Sequence, residues 1–212
     1  MTMRRYGEMP KSLGTVEVCC KEMMFYQYLP IKLAGQMIAV WEDRLNPFSQ
    51  LIEKCMFDFG FIYGNDTLDE SNVYLTVKHL YQTEGCSFNR EGWHSDGFMT
   101  DDINYIWSNN NGTIFNTSKF NLTQDHKISI EEMCQQARPL NDYQFQDSEL
   151  LRLDQYNIHK VAYIAKPTMR TFFKLSFSPD KYNLVGNSHN HLLDYSWEMK
   201  ERQVTRNHPV KS

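Results

Sequence analysis

Asn72-Val-Tyr-Leu-Thr-Val-Lys-His-Leu-Tyr81 decides the fold class. Its β-branched and aromatic residues predict a strand. Further short strands are predicted downstream at Ile103 to Trp107, Thr113 to Phe115, Asn157 to Ile164 and Arg170 to Ser178. Polar or glycine-containing turns such as Ser108-Asn-Asn-Asn-Gly112 separate several of them. A short helix is predicted over Ser129 to Ala137, where Ser129 and Glu132 have capping-box spacing. Upstream, Gly60 to Ser71 reads as a turn or loop. Ile31 to Phe57 has a helical pattern interrupted by Asn46-Pro47, with Ser49 or Pro47 starting its second part. Val16 to Tyr28 is expected to be a strand with a turn before Pro30, and the first ~15 residues a loose arm. These elements describe an α+β domain with a mainly β core, its helices packed on an antiparallel sandwich or barrel. One domain spans 1–212: a helical support over 1–71, a β core over 72–178 and a C-terminal extension over 179–212.

Composition agrees with one globular domain. Of 212 residues, 41% are hydrophobic and 23% charged, and the net charge of −4 gives no electrostatic reason for indiscriminate nucleic-acid binding. No apolar run reaches membrane-spanning length and the first residues lack a signal-peptide apolar region, so a cytoplasmic protein without a membrane partner is expected. The cysteines Cys19, Cys20, Cys55, Cys86 and Cys134 form no C-x-x-C pair, which predicts free thiols.

The chemistry is expected in Gly92-Trp-His94-Ser-Asp96-Gly-Phe98. In extended backbone, residues two apart point to one side, so His94 and Asp96 can converge on one atom. An imidazole and a carboxylate are two ligands of the 2-His-1-carboxylate facial triad that suits ferrous iron. The third ligand must approach from another strand, and His159 in Asn157-Ile-His159-Lys-Val161 is placed to supply it. Arg170 follows eleven positions later, and its planar fork can grip a carboxylate in bidentate fashion. A surface His, a turn Asp and a strand-edge Arg are each ordinary alone; their order on β-type segments is what points to a site.

This order resembles the Fe(II) and 2-oxoglutarate dependent oxygenases, whose double-stranded β-helix (a jelly-roll or cupin-like fold) carries H-x-D, a distal His and an Arg about a dozen residues beyond it. The resemblance covers Asn72 to Ser178. Gly112-Thr-Ile-Phe115 is similar to the G-T-x-F strand of the prolyl-hydroxylase-like branch, and Tyr81 sits where that branch often has a tyrosine reaching the cosubstrate. Phe172 stands where plant-type members carry Ser, so the chain departs from that subgroup. The resemblance implies iron on His94, Asp96 and His159. It implies 2-oxoglutarate chelated through its C1 carboxylate and keto oxygen with its far carboxylate on Arg170, and O₂ in the last position. Decarboxylation to succinate would then drive hydroxylation or a related oxidation, and the presence of Asp96 argues against halogenation.

Trp93, Phe98, Tyr105 and Trp107 are candidates for a substrate wall, with core packing the simpler reading of each. Arg90 and Lys174 are candidates for an anionic substrate group, with solvated surface as their default. Gly186-Asn-Ser-His-Asn-His191 reads as a polar turn. The tail from Asp194, carrying Lys200, Arg202, Arg206 and Lys211, reads as an arm on the domain or on a second subunit of a homodimer, or as a basic contact for a phosphorylated partner. The substrate is unidentified: a small molecule is favoured, with a protein side chain or nucleobase chemically open. Two other functions compete, a catalytically inert β-sandwich binding module and a cupin-type metal enzyme working without 2-oxoglutarate.

Overall fold

The computed structural model describes residues 4–86 and 90–202. It is mainly β, with two antiparallel sheets and few helices. The larger sheet takes β1 (Lys11–Thr15), β2 (Met24–Lys32), β3 (Asn72–Gln82), β4 (Ile103–Ser108), β7 (Glu149–Leu153) and β9 (Thr168–Ser178), in the order β1-β7-β4-β9-β3-β2. The smaller sheet takes β5 (Ile114–Asn116), β6 (Asp142–Gln144) and β8 (His159–Lys160), in the order β6-β5-β8. Its edge is extended by a bridge from His94 to His159.

At the centre of the large sheet β3 pairs with β9 in unbroken register, from Asn72 opposite Ser178 to Gln82 opposite Thr168. Alternation then sorts the side chains. Val73, Leu75 and Val77 of β3, Tyr105 and Trp107 of β4, and Phe173, Leu175 and Phe177 of β9 enter one core. Helix α1 (Ser49–Tyr63) covers that face with Leu51, Ile52, Cys55 and Phe59, a one-sided helical stripe. Phe59 stacks on Phe177 with ring centroids 4.1 Å apart. On the opposite face Ile106, Leu151 and Leu153 meet Phe115 of the small sheet. Asn104 and Ser176, paired across β4 and β9, share a hydrogen bond on that side.

The upstream third departs from the helical pattern expected of it. β2 runs through Ile31 and Lys32, and the helical segment begins only at Asp43 as a 3-10 turn (Asp43–Phe48) that runs into α1. Leu29 and Ile31 are buried core residues, and the strand that carries them pairs with β3. Ser49 does not cap α1 but donates its hydroxyl to the carbonyl of Asn46. Gly60 to Ser71, expected as a loop, holds the end of α1 and a short α2 (Asn65–Glu70). The N-terminal segment is no loose arm: β1 pairs with β7, and Gly7 donates its N–H to the carbonyl of Tyr156. Helix α3 (His126–Gln136) begins earlier than expected, because the Asp125 carboxylate accepts from the N–H groups of Lys127 and Ile128. Glu132 turns instead to Thr123.

All five cysteines are free thiols. No helix among the described residues is long and apolar enough to cross a membrane. Arg206 and Lys211 of the basic tail lie outside the described residues. The segment from Gly186 to His191 is a polar turn whose buried Asn190 donates to the carbonyls of Pro30 and Val40.

Phe177 is 1% exposed and its ring sits between Phe59 and Tyr105. Phe177→Ala is expected to lower unfolding free energy by about 3–5 kcal/mol, through lost burial plus the cavity left behind. Phe57→Ala, on the exposed side of α1, should change it by less than about 0.5 kcal/mol. Urea unfolding of the two variants checks the difference.

Candidate metal centre

His94 and Asp96 lie in the connection between β3 and β4, and His159 opens β8. His94 and His159 face each other as a hydrogen-bonded pair, each backbone N–H donating to the other's carbonyl at 2.9 Å. Directly opposite residues of an antiparallel pair point to one side. The two imidazoles accordingly lie with ring centroids 4.6 Å apart. Gly92 and Gly97, with φ of +79° and +70°, let the chain enter and leave this bridge. At Gly97 an added Cβ would stand 2.9 Å from the Thr100 hydroxyl, so the turn leaves no space for a side chain. Ser95 points the other way and donates to the carbonyl of Gln155 at 2.6 Å.

The hydrogen bonds set the tautomers. His94 Nδ1 lies 2.9 Å from the Gly92 carbonyl, and His159 Nδ1 lies 2.9 Å from the Asn157 carbonyl. A carbonyl only accepts, so each Nδ1 carries a proton and Nε2 is the ring nitrogen left to serve as a ligand atom. Ligand atoms of His94, Asp96 and His159 all lie within 4.8 Å of one another. Two imidazoles and one carboxylate, the rings oriented from behind by backbone carbonyls, form a donor set for a divalent cation.

Lys174 of β9 donates to Asp96 Oδ2 at 2.7 Å, with both side chains largely buried. Burial pushes the Asp96 carboxyl up, but Lys174 and the two histidines outweigh it and hold the group well below the usual carboxylate range. Burial likewise opposes the Lys174 charge, and Asp96 reverses that and raises its pKa. Burial, with repulsion from His159, pushes His94 down to about 3.

These groups border a cavity of about 390 Å³ between the two sheets. The large sheet lends it Thr76 and Lys78 from β3, Ile106 from β4, and Phe172 and Lys174 from β9. Arg170 lines it too, 6% exposed, with Nε donating to the Asn110 carbonyl and Nη2 to the Asn111 carbonyl. Ser108 to Gly112, read from sequence only as a turn, thus cradles the guanidinium. Asn111 takes a positive φ of +47° to do so. Burial pulls Arg170 down to about 10, so an anion entering here meets a poorly solvated cation with N–H donors still to offer.

Several sequence candidates lie elsewhere. Tyr81 is 55% exposed and does not line the cavity, because alternation along β3 puts it on the face opposite Lys78. Tyr105 and Trp107 belong to the α1-facing core, where the Tyr105 hydroxyl donates to Asp58 and Trp107 Nε1 to the carbonyls of Val16 and Ser148. Phe98 packs with Phe120, Leu122 and Met133, and Trp93 packs against that cluster beneath the Lys160 ammonium. Among the described residues, the rings that line the cavity besides the two imidazoles are Tyr28 and Phe172. Lys174 is neither surface nor a free substrate cation, since Asp96 holds it; Arg90 lines the cavity at its exposed side. Sequence reasoning passed over Lys78 and Tyr28. The first was signalled by alternation: Tyr74, Thr76 and Lys78 interleave with the apolar Val73, Leu75 and Val77.

A scan of protein-family models finds no match to this chain, and a search of curated proteins finds none either. Among solved structures, EvdO2 from Micromonospora carbonacea var. aurantiaca, complexed with 2-oxoglutarate, is similar at 12% identity and a TM-score of 0.42, covering 78% of this chain and 76% of that chain.

Two outcomes follow for metal-free protein. Unfolded His94 binds its proton near its ordinary 6.5 and folded His94 only near 3, so acid favours the unfolded chain. Asp96, held below its ordinary 3.8, adds stability that is lost as the pH falls below that value. Stability should therefore decline from pH 6.5 downward, and His94→Asn should flatten the decline by up to about 1.4 kcal/mol per pH unit. Urea unfolding across that range measures the slope. Lys174→Met should cost about 3 kcal/mol by stranding a buried carboxylate, and adding Asp96→Asn should recover most of it in a double-mutant cycle.

Proposed function

We propose that this chain is a non-haem iron oxygenase that couples oxidative decarboxylation of 2-oxoglutarate to hydroxylation, or a related oxidation, of a small molecule. On this reading the two sheets form the double-stranded β-helix of that superfamily. The observation that carries it is the convergence of His94 Nε2, His159 Nε2 and the Asp96 carboxylate at one edge of a cationic cavity. The donor chemistry would fit ferrous iron: two imidazoles with their Nδ1 protons held by backbone carbonyls and one ionised carboxylate, which would hold the metal at the edge of the cavity. When bound there, iron and 2-oxoglutarate supply the O₂-activating redox chemistry.

The chain's own residues bind and orient. Arg170, prearranged by the carbonyls of Asn110 and Asn111, offers its remaining N–H groups to the distal carboxylate of the cosubstrate. Phe172, beneath the guanidinium with its ring centroid 5.2 Å from the central carbon, forms the floor between Arg170 and the metal ligands. Lys174 keeps Asp96 ionised and turned toward the histidines. The cupin-type reading has no use for Arg170, and an inert binding module has none for two imidazoles converging on a carboxylate.

Anaerobic titration of the purified apoprotein with Fe(II) and then 2-oxoglutarate checks the proposal. A weak visible charge-transfer band is expected in wild type and should be absent in His94→Ala and His159→Ala. Arg170→Met should keep iron but weaken 2-oxoglutarate binding by roughly tenfold or more. Absence of bound iron in wild type sinks the oxygenase reading, and full 2-oxoglutarate affinity in Arg170→Met removes Arg170 from it.

A further inference from the structure

The three donor side chains stand on short supports. His94 and Asp96 belong to the connection between β3 and β4, whose described residues carry no strand or helix beyond the bridge at His94. His159 opens a strand of only two residues. Ligands placed on loops keep a metal's geometry only when further contacts fix them. The bridge itself supplies two hydrogen bonds, and the Ser95 hydroxyl adds one to the Gln155 carbonyl. A third segment, residues 4–8, supplies the rest.

That segment touches both ligand-bearing loops. The Tyr6 ring lies 5.5 Å from the Phe98 ring, two positions after Asp96, and 5.2 Å from the Tyr156 ring, three positions before His159. The Tyr6 hydroxyl comes only within 3.5 Å of the Gln155 side chain, so the ring carries the contact. Gly7 and Glu8 both donate their N–H groups to the Tyr156 carbonyl, and the Glu8 carbonyl accepts from Asn157 Nδ2 at 2.8 Å. Asn157 is 3% exposed, and its Oδ1 accepts from the Asp154 N–H. Its own carbonyl is the one that holds His159 Nδ1. One residue thus ties the N-terminal segment to the orientation of a ligand. Gly7 fixes where the segment lies: it is buried at a φ of +91°, and a Cβ there would collide with the Ser118 carbonyl. Arg4 closes the outer side through ion pairs to Glu8 and Asp154, but its side chain is half exposed and such pairs contribute little.

We infer that residues 4–8 form a strap that sets the separation of the two ligand-bearing loops, with Tyr6 and Asn157 as positioning residues for the metal held by His94, Asp96 and His159. This rests on the metal reading of that donor set and extends it to residues that touch neither metal nor cosubstrate. Contacts behind a ligand typically govern metal affinity by about 10–100-fold, because they fix the direction in which the donor atom points.

Co(II), whose visible spectrum reports its ligand set, is titrated into the full-length apoprotein. Exchange of the His94 and His159 amides, each bonded to the other's carbonyl, is followed by NMR in the metal-free protein. Tyr6→Ala, Gly7→Ala and Asn157→Ala are expected to weaken Co(II) by about tenfold and to speed exchange of both bridge amides by about fivefold or more. Tyr6→Phe should keep wild-type values, since the ring makes the contact. Leu51→Ala, in the α1-facing core, should lower stability yet leave Co(II) affinity within about twofold. Wild-type Co(II) affinity in the three variants overturns the strap and leaves the metal reading standing. A loss in Leu51→Ala as large as theirs overturns the strap as well, by reducing its effect to general destabilisation. A wild type that binds no Co(II), or binds it unchanged after His94→Ala, overturns the metal reading and the positioning role with it.

Discussion

Everything in this molecule is hung on the antiparallel ladder between β3 and β9. Its register runs unbroken from Asn72 opposite Ser178 to Gln82 opposite Thr168. A slip of one residue would turn Val73, Leu75, Val77, Phe173, Leu175 and Phe177 out of the α1-facing core and drive Lys78, Arg170 and Lys174 into it. The apolar face thus locks the position of every large-sheet cation in the cavity. Stability and site geometry are two sides of one pairing.

The second constraint is electrostatic. Four cations, two imidazoles and a carboxylate line one cavity, and burying charge is unfavourable unless it is compensated. The fold meets this with fixed dipoles and one close ion pair. Backbone carbonyls of Gly92 and Asn157 hold the imidazole protons, carbonyls of Asn110 and Asn111 hold the Arg170 head, and Lys174 holds Asp96. Each of these contacts also sets a direction. The imidazoles turn Nε2 toward each other's side, the ionised carboxylate presents an oxygen beside them, and the guanidinium is held in place by backbone carbonyls. The two sheets divide the labour: the small one with its His94 bridge carries the donor atoms, and the large one carries the positive charge.

Much of the candidate site was legible because its signals are local. Two-residue spacing places His94 and Asp96 on one side of extended chain whatever surrounds them. A histidine and an arginine on later strand-forming segments are likewise visible as residue type and order. Tyr81 and the supposed ring wall were misplaced for a related reason. Nearness in sequence to His94 says nothing about which face of β3 or β4 a side chain occupies. Tyr81 follows Lys78 by an odd number of residues and so faces away, while Tyr105 and Trp107 lie on the α1 side of β4. Upstream, apolar residues from Ile31 onward fit a helical period as well as a strand. The vacancy beside β3, which only the assembled sheet creates, drew Met24–Lys32 into it.

By itself, then, the sequence determined the β-rich class, the strands Asn72–Gln82 and Thr168–Ser178 to within two residues, and the three side chains able to share a divalent cation. Those depend on propensity, alternation and residue chemistry, which operate over a few bonds. Tertiary structure alone decided that Lys174 would neutralise Asp96, that an asparagine-rich turn would grip Arg170, and that Lys78 would lean toward β2 over Phe25. Each joins segments far apart in the chain. The energy that selects them is the cost of leaving a buried charge without a partner, and no such cost exists until the two sheets close over the cavity.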